Sequence, residues 1–182
     1  MARIIVLAGT GGNGGGGICA ARHLANRGAD VTVVLAEPQQ LTPVTAWQYL
    51  AYGATDGRAR TLLPPGRQAV DFVVDALIGY GLRGAPEGAL RDLIRWANES
   101  GATLAALDVP SGLDATTGAA PGEVICAQVT LALALPKAGL RVPTVGELEL
   151  ADLGIPAATF RRAGLTYVSP FGDRFRIPLR AV

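Results

Sequence analysis

A chain of 182 residues fits one domain with one buried core, and 49% hydrophobic against 17% charged residues excludes a disordered chain. A formal net charge of +1 and an isoelectric point near 7.8 exclude a general attraction to nucleic acid or to an anionic membrane, since both call for clustered Lys and Arg. No apolar run reaches the roughly 20 residues of a membrane span. The chain enters its first strand directly, without a leader, and Cys19 and Cys126 read as buried free thiols rather than a disulfide framework, so a cytoplasmic protein is expected.

Arg3–Ala8 is a short apolar run ending at Gly9, as in a strand buried on both faces of a parallel sheet. Residues 17–27 carry Ile18, Ala21, Leu24 and Ala25 at helical spacing, with Gly28 where a left-handed cap is wanted. A second buried strand at 31–36 completes a strand, helix, strand unit. The alternation continues with a helix at 42–52, a strand at 72–77, a helix at 90–99, and strands at 103–107 and 129–135. Short strand-like runs follow at 146–150 and 165–168. Turns are expected at Pro64-Pro65, at Gly79-Tyr-Gly-Leu-Arg-Gly84 and at Pro110-Ser-Gly112. The whole reads as an α/β chain, a Rossmann-like three-layer sandwich with a mainly parallel central sheet.

Gly9-Thr-Gly11-Gly-Asn-Gly14 fits the pattern G-x-G-x-x-G between a strand and a helix, where backbone N–H groups and the helix N-terminus can hold phosphate. Glu37 at the end of the second strand stands where a dinucleotide fold places its ribose-binding acid, so an NAD-linked oxidoreductase fits these residues. Glycines that merely let a helix approach the sheet, or that form a nest for any anion, fit them as well.

In an open α/β sheet the ligand lies beyond the carboxyl ends of the strands, which here carry Asn13, Asp75 and the loop Asp108-Val-Pro-Ser-Gly-Leu-Asp114. That loop holds two carboxylates and a hydroxyl in a stiffened turn, an arrangement suited to acid–base work. Asp75 lies among apolar neighbours, where an unpaired charge is costly, and calls for a cation or several N–H donors. Both aspartates could instead cap turns through their own backbone. His23, the one histidine, reads as structural. No Cys/His spacing suits zinc, and oxygen ligands such as Asn13, Asp75 and Ser111 favour an alkali or alkaline-earth ion.

Five blocks in order, Gly9-Thr-Gly-Gly-Asn-Gly-Gly-Gly-Gly17, Ala20-Ala-Arg-His-Leu24, Val74-Asp-Ala-Leu-Ile-Gly-Tyr-Gly-Leu82, Leu107-Asp-Val-Pro-Ser-Gly-Leu-Asp114 and Leu135-Pro-Lys-Ala-Gly-Leu140, resemble the YjeF N-terminal domain family. Gly146-Glu-Leu-Glu-Leu-Ala-Asp-Leu-Gly-Ile-Pro156 is similar to its closing segment. The resemblance implies a single domain over residues 1–182, often a homodimer, that acts as an NAD(P)H-hydrate epimerase, with a catalytically altered ligand-binding or interaction module as the alternative. It implies a potassium ion on Asn13, Asp75 and Ser111, and Asp108 as the acid and base at the reacting nicotinamide. It implies nucleotide binding by Gly12, Asn13, Gly14, Gly15 and Gly16, and by Gly79, Tyr80, Gly81, Leu82, Arg83, Gly84 and Ala85. Two features depart from the family. Its glycine loop usually reads Asn-Asn-Gly-Gly-Asp-Gly, whereas Gly12 and Gly16 here replace an Asn and the Asp. A domain lacking the helical extension that usually precedes the family's first strand is expected, without the dehydratase domain to which many bacterial members are fused.

Overall fold

A computed structural model of the chain describes residues 2–61 and 70–179. In chain order its elements are β1 (Arg3–Ala8), α1 (Gly12–Ala25), β2 (Asp30–Leu35), α2 (Pro43–Tyr52), β3 (Arg58–Arg60) and β4 (Phe72–Ala76). They continue with α3 (Gly88–Glu99), β5 (Thr103–Leu107), β6 (Val129–Leu133), β7 (Glu147–Ala151), α4 (Ala157–Arg162) and β8 (Arg176–Pro178). The eight strands form one sheet in the order β3-β2-β1-β4-β5-β6-β7-β8. Every pairing is parallel except the last, in which Leu150 lies opposite Ile177. The Pro64-Pro65 turn falls outside the described residues.

Strand alternation sorts β1 onto two faces. Ile5 and Leu7 join Val34, Val73, Leu93, Ile94 and Leu104 in the core under α3. Val6 and Ala8 join Ile18, Ala21, Val31, Val33 and Tyr52 in the core under α1 and α2. Helices therefore cover both faces, and the α/β three-layer reading holds. A third cluster, with Val109, Leu113, Leu140, Leu150 and Phe171, closes the β6–β8 side.

Glycine decides where α1 begins. The helix starts at Gly12, five residues before the expected start at 17, although interior glycines cost roughly 0.5–1 kcal/mol each. Close approach is what they permit: a Cβ at Gly14 would lie 2.0 Å from the Gly9 carbonyl oxygen, and one at Gly17 would lie 2.3 Å from the Ala76 Cβ. At the other end Gly28 holds φ +82°. Gly28 N–H donates to the Ala25 carbonyl and Ala29 N–H to the Leu24 carbonyl, a Schellman cap at the residue expected.

Four further readings are corrected. Residues 165–168 form no strand, and Tyr167 instead stacks on Phe160 of α4 with ring centroids 4.0 Å apart. Strand β6 stops at Leu133 because Ala134 turns to φ +62°. Cys126 is exposed and Cys19 half-buried, although both are free thiols. The short edge strands β3 and β8 and the helix α4 were not expected, for reasons taken up below.

Candidate active site at the strand ends

The sheet reverses its winding between β1 and β4, which opens a crevice above their carboxyl ends. Helix α1 points its N-terminus at this crevice, with Gly11 in the capping position, no capping side chain and no acidic residue in the first turn. The first N–H groups of the helix therefore keep their partial positive charge for a ligand. Thr45 of α2, fully buried, braces the loop by donating its hydroxyl to the Gly11 carbonyl at 2.8 Å.

Asp75, inside β4, is fully buried. Its Oδ1 accepts from the Ser111 hydroxyl (2.6 Å) and the Leu77 N–H (3.2 Å), and its Oδ2 from the Ser111 N–H (2.7 Å). Burial raises its pKa from 3.8 to about 6, against the lowering effect of these three bonds. Ser111 is buried too, and its Oγ accepts the Ile78 N–H at 2.8 Å while lying 3.2 Å from the Ile78 carbonyl. The loop after β5 is thereby locked to the loop after β4.

Asp108 follows β5 directly, 5% exposed and with φ +70°, a left-handed backbone uncommon for any residue but glycine. Its Oδ2 accepts the Tyr80 N–H at 3.3 Å and its Oδ1 the Leu133 N–H at 3.3 Å. Gly79 lets its backbone pass close between Asn13 of α1 and Asp108 after β5. A Cβ there would lie 3.1 Å from Asp108 Oδ2 and 3.3 Å from Asn13 Cγ. Asn13 itself has both side-chain polar atoms buried without a hydrogen-bond partner among the described residues. Asn13, Asp75, Asp108 and Ser111 thus converge on the segment 77–80, as the parallel-strand reading requires.

The remaining expected site residues divide. Gly12 lies open, with no atom within 4 Å of a Cβ, and Gly16 faces the end of the Leu107 side chain at 3.2 Å. Gly14 and Gly15 are buried against Gly9 and Thr45, so only their backbone could serve a ligand. In the 79–85 loop, Tyr80 is 76% exposed, and Gly81 and Gly84 are open. Ala85 packs on the 122 segment, where a Cβ at Gly122 would lie 3.0 Å from its own. Leu82 lies half-buried and Arg83 exposed on the same loop. Glu37 follows β2 and accepts a bond from Gln40, and His23 is exposed on α1. One residue escaped the sequence reading of roles: Lys137, whose ammonium contacts Asp108 Oδ1 and donates to the Leu133 carbonyl at 2.8 Å.

Residues 1–139 match the family described as YjeF-related protein N-terminus. Over 180 residues the chain is 49% identical to the NAD(P)H-hydrate epimerase of Dehalogenimonas lykanthroporepellens, covering 98% of this chain and 74% of that protein. It is 40% identical to the protein of that name from Truepera radiovictrix, covering 92% and 77% respectively. A bifunctional NAD(P)H-hydrate repair enzyme of Hyperthermus butylicus is 39% identical, and this chain spans 34% of its length. The crystal structure of the yeast protein YNL200c superposes with a TM-score of 0.83 at 18% identity, over 98% of this chain and 77% of that one.

Proposed function

The chain belongs to the family of YjeF-related N-terminal domains, and we propose that it interconverts the two epimers of hydrated NADH or NADPH. The observation that carries this reading is the convergence of Asn13, Asp75, Ser111 and Asp108 on the segment 77–80, with Asp108 held in left-handed backbone close against Gly79. Strain of this kind collects where a functional geometry is imposed.

The hydrate bears a hydroxyl at C6 of the reduced nicotinamide ring. The C6–O bond breaks with its electron pair going to oxygen, which takes a proton from the acid form of Asp108 and departs as water. The ring nitrogen's lone pair completes a planar cation at C6. Water then adds to either face and gives a proton back to the Asp108 carboxylate, which regenerates the hydroxyl in either configuration. The N-terminus of α1 and the open loop 79–85 hold the nucleotide in place for this exchange.

Potassium is the ion this site is read to take. Asn13 Oδ1 is a buried oxygen lacking a partner, Ser111 Oγ is a hydroxyl at the same segment, and Asp75 is a buried carboxylate with no cationic side chain bonded to it among the described residues. Hard oxygen donors of this kind suit potassium, and no group of three His, Cys, Asp or Glu that could hold a metal ion occurs among the described residues. Once bound, the ion would offset the Asp75 charge and fix the loops. A homodimer is supported by α2, which presents Val44, Trp47 and Leu50 to solvent at 64–72% exposure. The cytoplasm is supported by free thiols at Cys19 and Cys126. No helix among the described residues is long and apolar enough to cross a membrane.

Each purified epimer of hydrated NADH and NADPH, incubated separately with the protein and resolved by chromatography, tests the reading. Interconversion faster than the uncatalysed rate is expected. A second reading, a ligand-binding module without turnover, is favoured by Gly12 and Gly16, which bring no side chain to the pocket. Binding without interconversion selects it. Gly16 has no positive φ, so Gly16→Asp needs only a small shift of Leu107 and should raise affinity if the wild-type site is a weakened epimerase.

A further inference from the structure

Among the described residues only two that are not glycine hold a positive φ, Asp108 at 70° and Ala134 at 62°. Each stands directly after a strand, Asp108 after β5 and Ala134 after β6, and these strands are parallel neighbours with Leu107 opposite Leu131. The turn at Ala134 folds the chain back so that the Lys137 ammonium donates to the Leu133 carbonyl at 2.8 Å and meets Asp108 Oδ1. The two disfavoured backbone conformations thus lie at the two strand ends that bring this ion pair together. Its side chains are only 19% and 7% exposed, unlike the surface pairs elsewhere on the chain.

The two oxygens of Asp108 differ in consequence. Oδ1 is occupied by Lys137 and by the Leu133 N–H, whereas Oδ2 meets a single backbone N–H, that of Tyr80. Around Asp108, α1 brings the neutral Asn13, and β4 brings Asp75, already bonded to Ser111 and Leu77. The loop after β4 brings Tyr80 and, further along, the exposed Arg83, and the loop after β6 brings Lys137. Of these, Lys137 alone makes an ion pair with Asp108 among the described residues.

Resting on the epimerase reading for its kinetic consequence, we propose that Lys137 is a positioning residue for Asp108. Anchored on the Leu133 carbonyl, its ammonium ties down Oδ1 and offsets the charge that forms on Asp108 as its proton passes to the departing hydroxyl, which leaves Oδ2 on the Gly79–Tyr80 side to exchange protons with substrate. A purely structural tether could be replaced by a neutral hydrogen-bond donor. An electrostatic one could not, because the carboxylate formed in the reaction would be a buried charge without its cation.

The test compares Lys137→Met, Lys137→Gln and Lys137→Arg by two readouts. The first follows the carboxyl carbon of Asp108 by NMR at one fixed neutral pH. Its resonance should move in the Met and Gln variants and stay near wild type in the Arg variant. A wild-type resonance in Lys137→Gln overturns the proposal whatever the activity. The second is epimer interconversion. In Lys137→Gln, kcat should fall by about 10²-fold with KM near wild type, and Lys137→Arg should restore most of it. A wild-type kcat in Lys137→Gln also overturns the proposal. Should Lys137→Met not fold, Gln against Arg carries the comparison, since both can donate to Leu133. A moved Asp108 resonance in Lys137→Gln of a chain whose wild type does not epimerise upholds the pairing and refutes the epimerase reading instead.

Discussion

Strands β4 and β5 lie side by side, yet their two ends are built differently. At the amino ends Phe72 and Thr103 are exposed, Thr103 N–H bonds the Asp71 carbonyl, and the exposed Asp71 carboxylate accepts the Arg3 N–H at 2.7 Å. At the carboxyl ends Asp75, Ser111 and Asp108 are buried, Asn13 keeps an unpartnered amide, and Asp108 takes a left-handed backbone. Buried polar groups and disfavoured dihedrals both cost stability. The sheet is therefore satisfied cheaply at one end and held under strain at the other, which is the division expected when one end carries chemistry.

The largest stability effect is expected from Gly14→Ala. Alanine gains up to about 1 kcal/mol of helix propensity, but its Cβ would lie 2.0 Å from the Gly9 carbonyl oxygen. A net loss of about 3 kcal/mol is expected in denaturant unfolding, and an undiminished stability would mean that α1 does not pack so closely on the loop. Ser111→Ala removes a donor to Asp75 and an acceptor for the Ile78 N–H, for which roughly 1–3 kcal/mol is expected by thermal unfolding.

Asp75 sets a pH dependence with a definite sign. Its folded pKa, about 6, lies above the ordinary value of 3.8, so between these values the folded state binds more protons than the unfolded one. Stability in potassium-free buffer should then fall as pH rises from about 4 to about 6 and level off above. Potassium should raise Tm more at pH 7 than at pH 4.5, and more than equal lithium. Equal responses to the two salts would remove the ion from the account. The smallest effect belongs to the other end of the sheet. Asp71→Ala should change stability by no more than about 0.5 kcal/mol, and a larger loss would erase the contrast between the ends.

The buried runs of β1, β2, β4 and β5 and the helical spans of α1 and α3 could be read from sequence because each carries apolar residues that pack in the core. The polar strand ends at Asp75, Asp108 and Ser111 stood out for the opposite reason, as polar residues set between apolar runs. What escaped reading depends on tertiary context. The first turn of α1 is Gly12-Asn-Gly-Gly15, which local propensity assigns to loop, and the close approach to Gly9 and Ala76 overrides it. The strand β3, Arg58-Ala-Arg60, is exposed throughout and held by parallel pairing to β2, so it carries no apolar period. β8 has three residues and owes its place to β7, and α4 is a six-residue helix with one buried residue, Phe160. Lys137 lies 29 residues from Asp108 and reaches it through the left-handed turn at Ala134, where alanine gives no sign of that conformation.

The carboxyl ends of β4 and β5 are claimed as the seat of chemistry, and Asp108→Asn tests that claim most directly. Asparagine tolerates left-handed backbone and keeps the shape of the side chain while losing its titratable proton. Interconversion of the hydrated NADH epimers should fall by about 10² to 10⁴, with nucleotide affinity close to wild type and a folded protein whose thermal stability is lowered by the loss of the Lys137 ion pair. Interconversion at the wild-type rate in a folded Asp108→Asn protein would contradict the account.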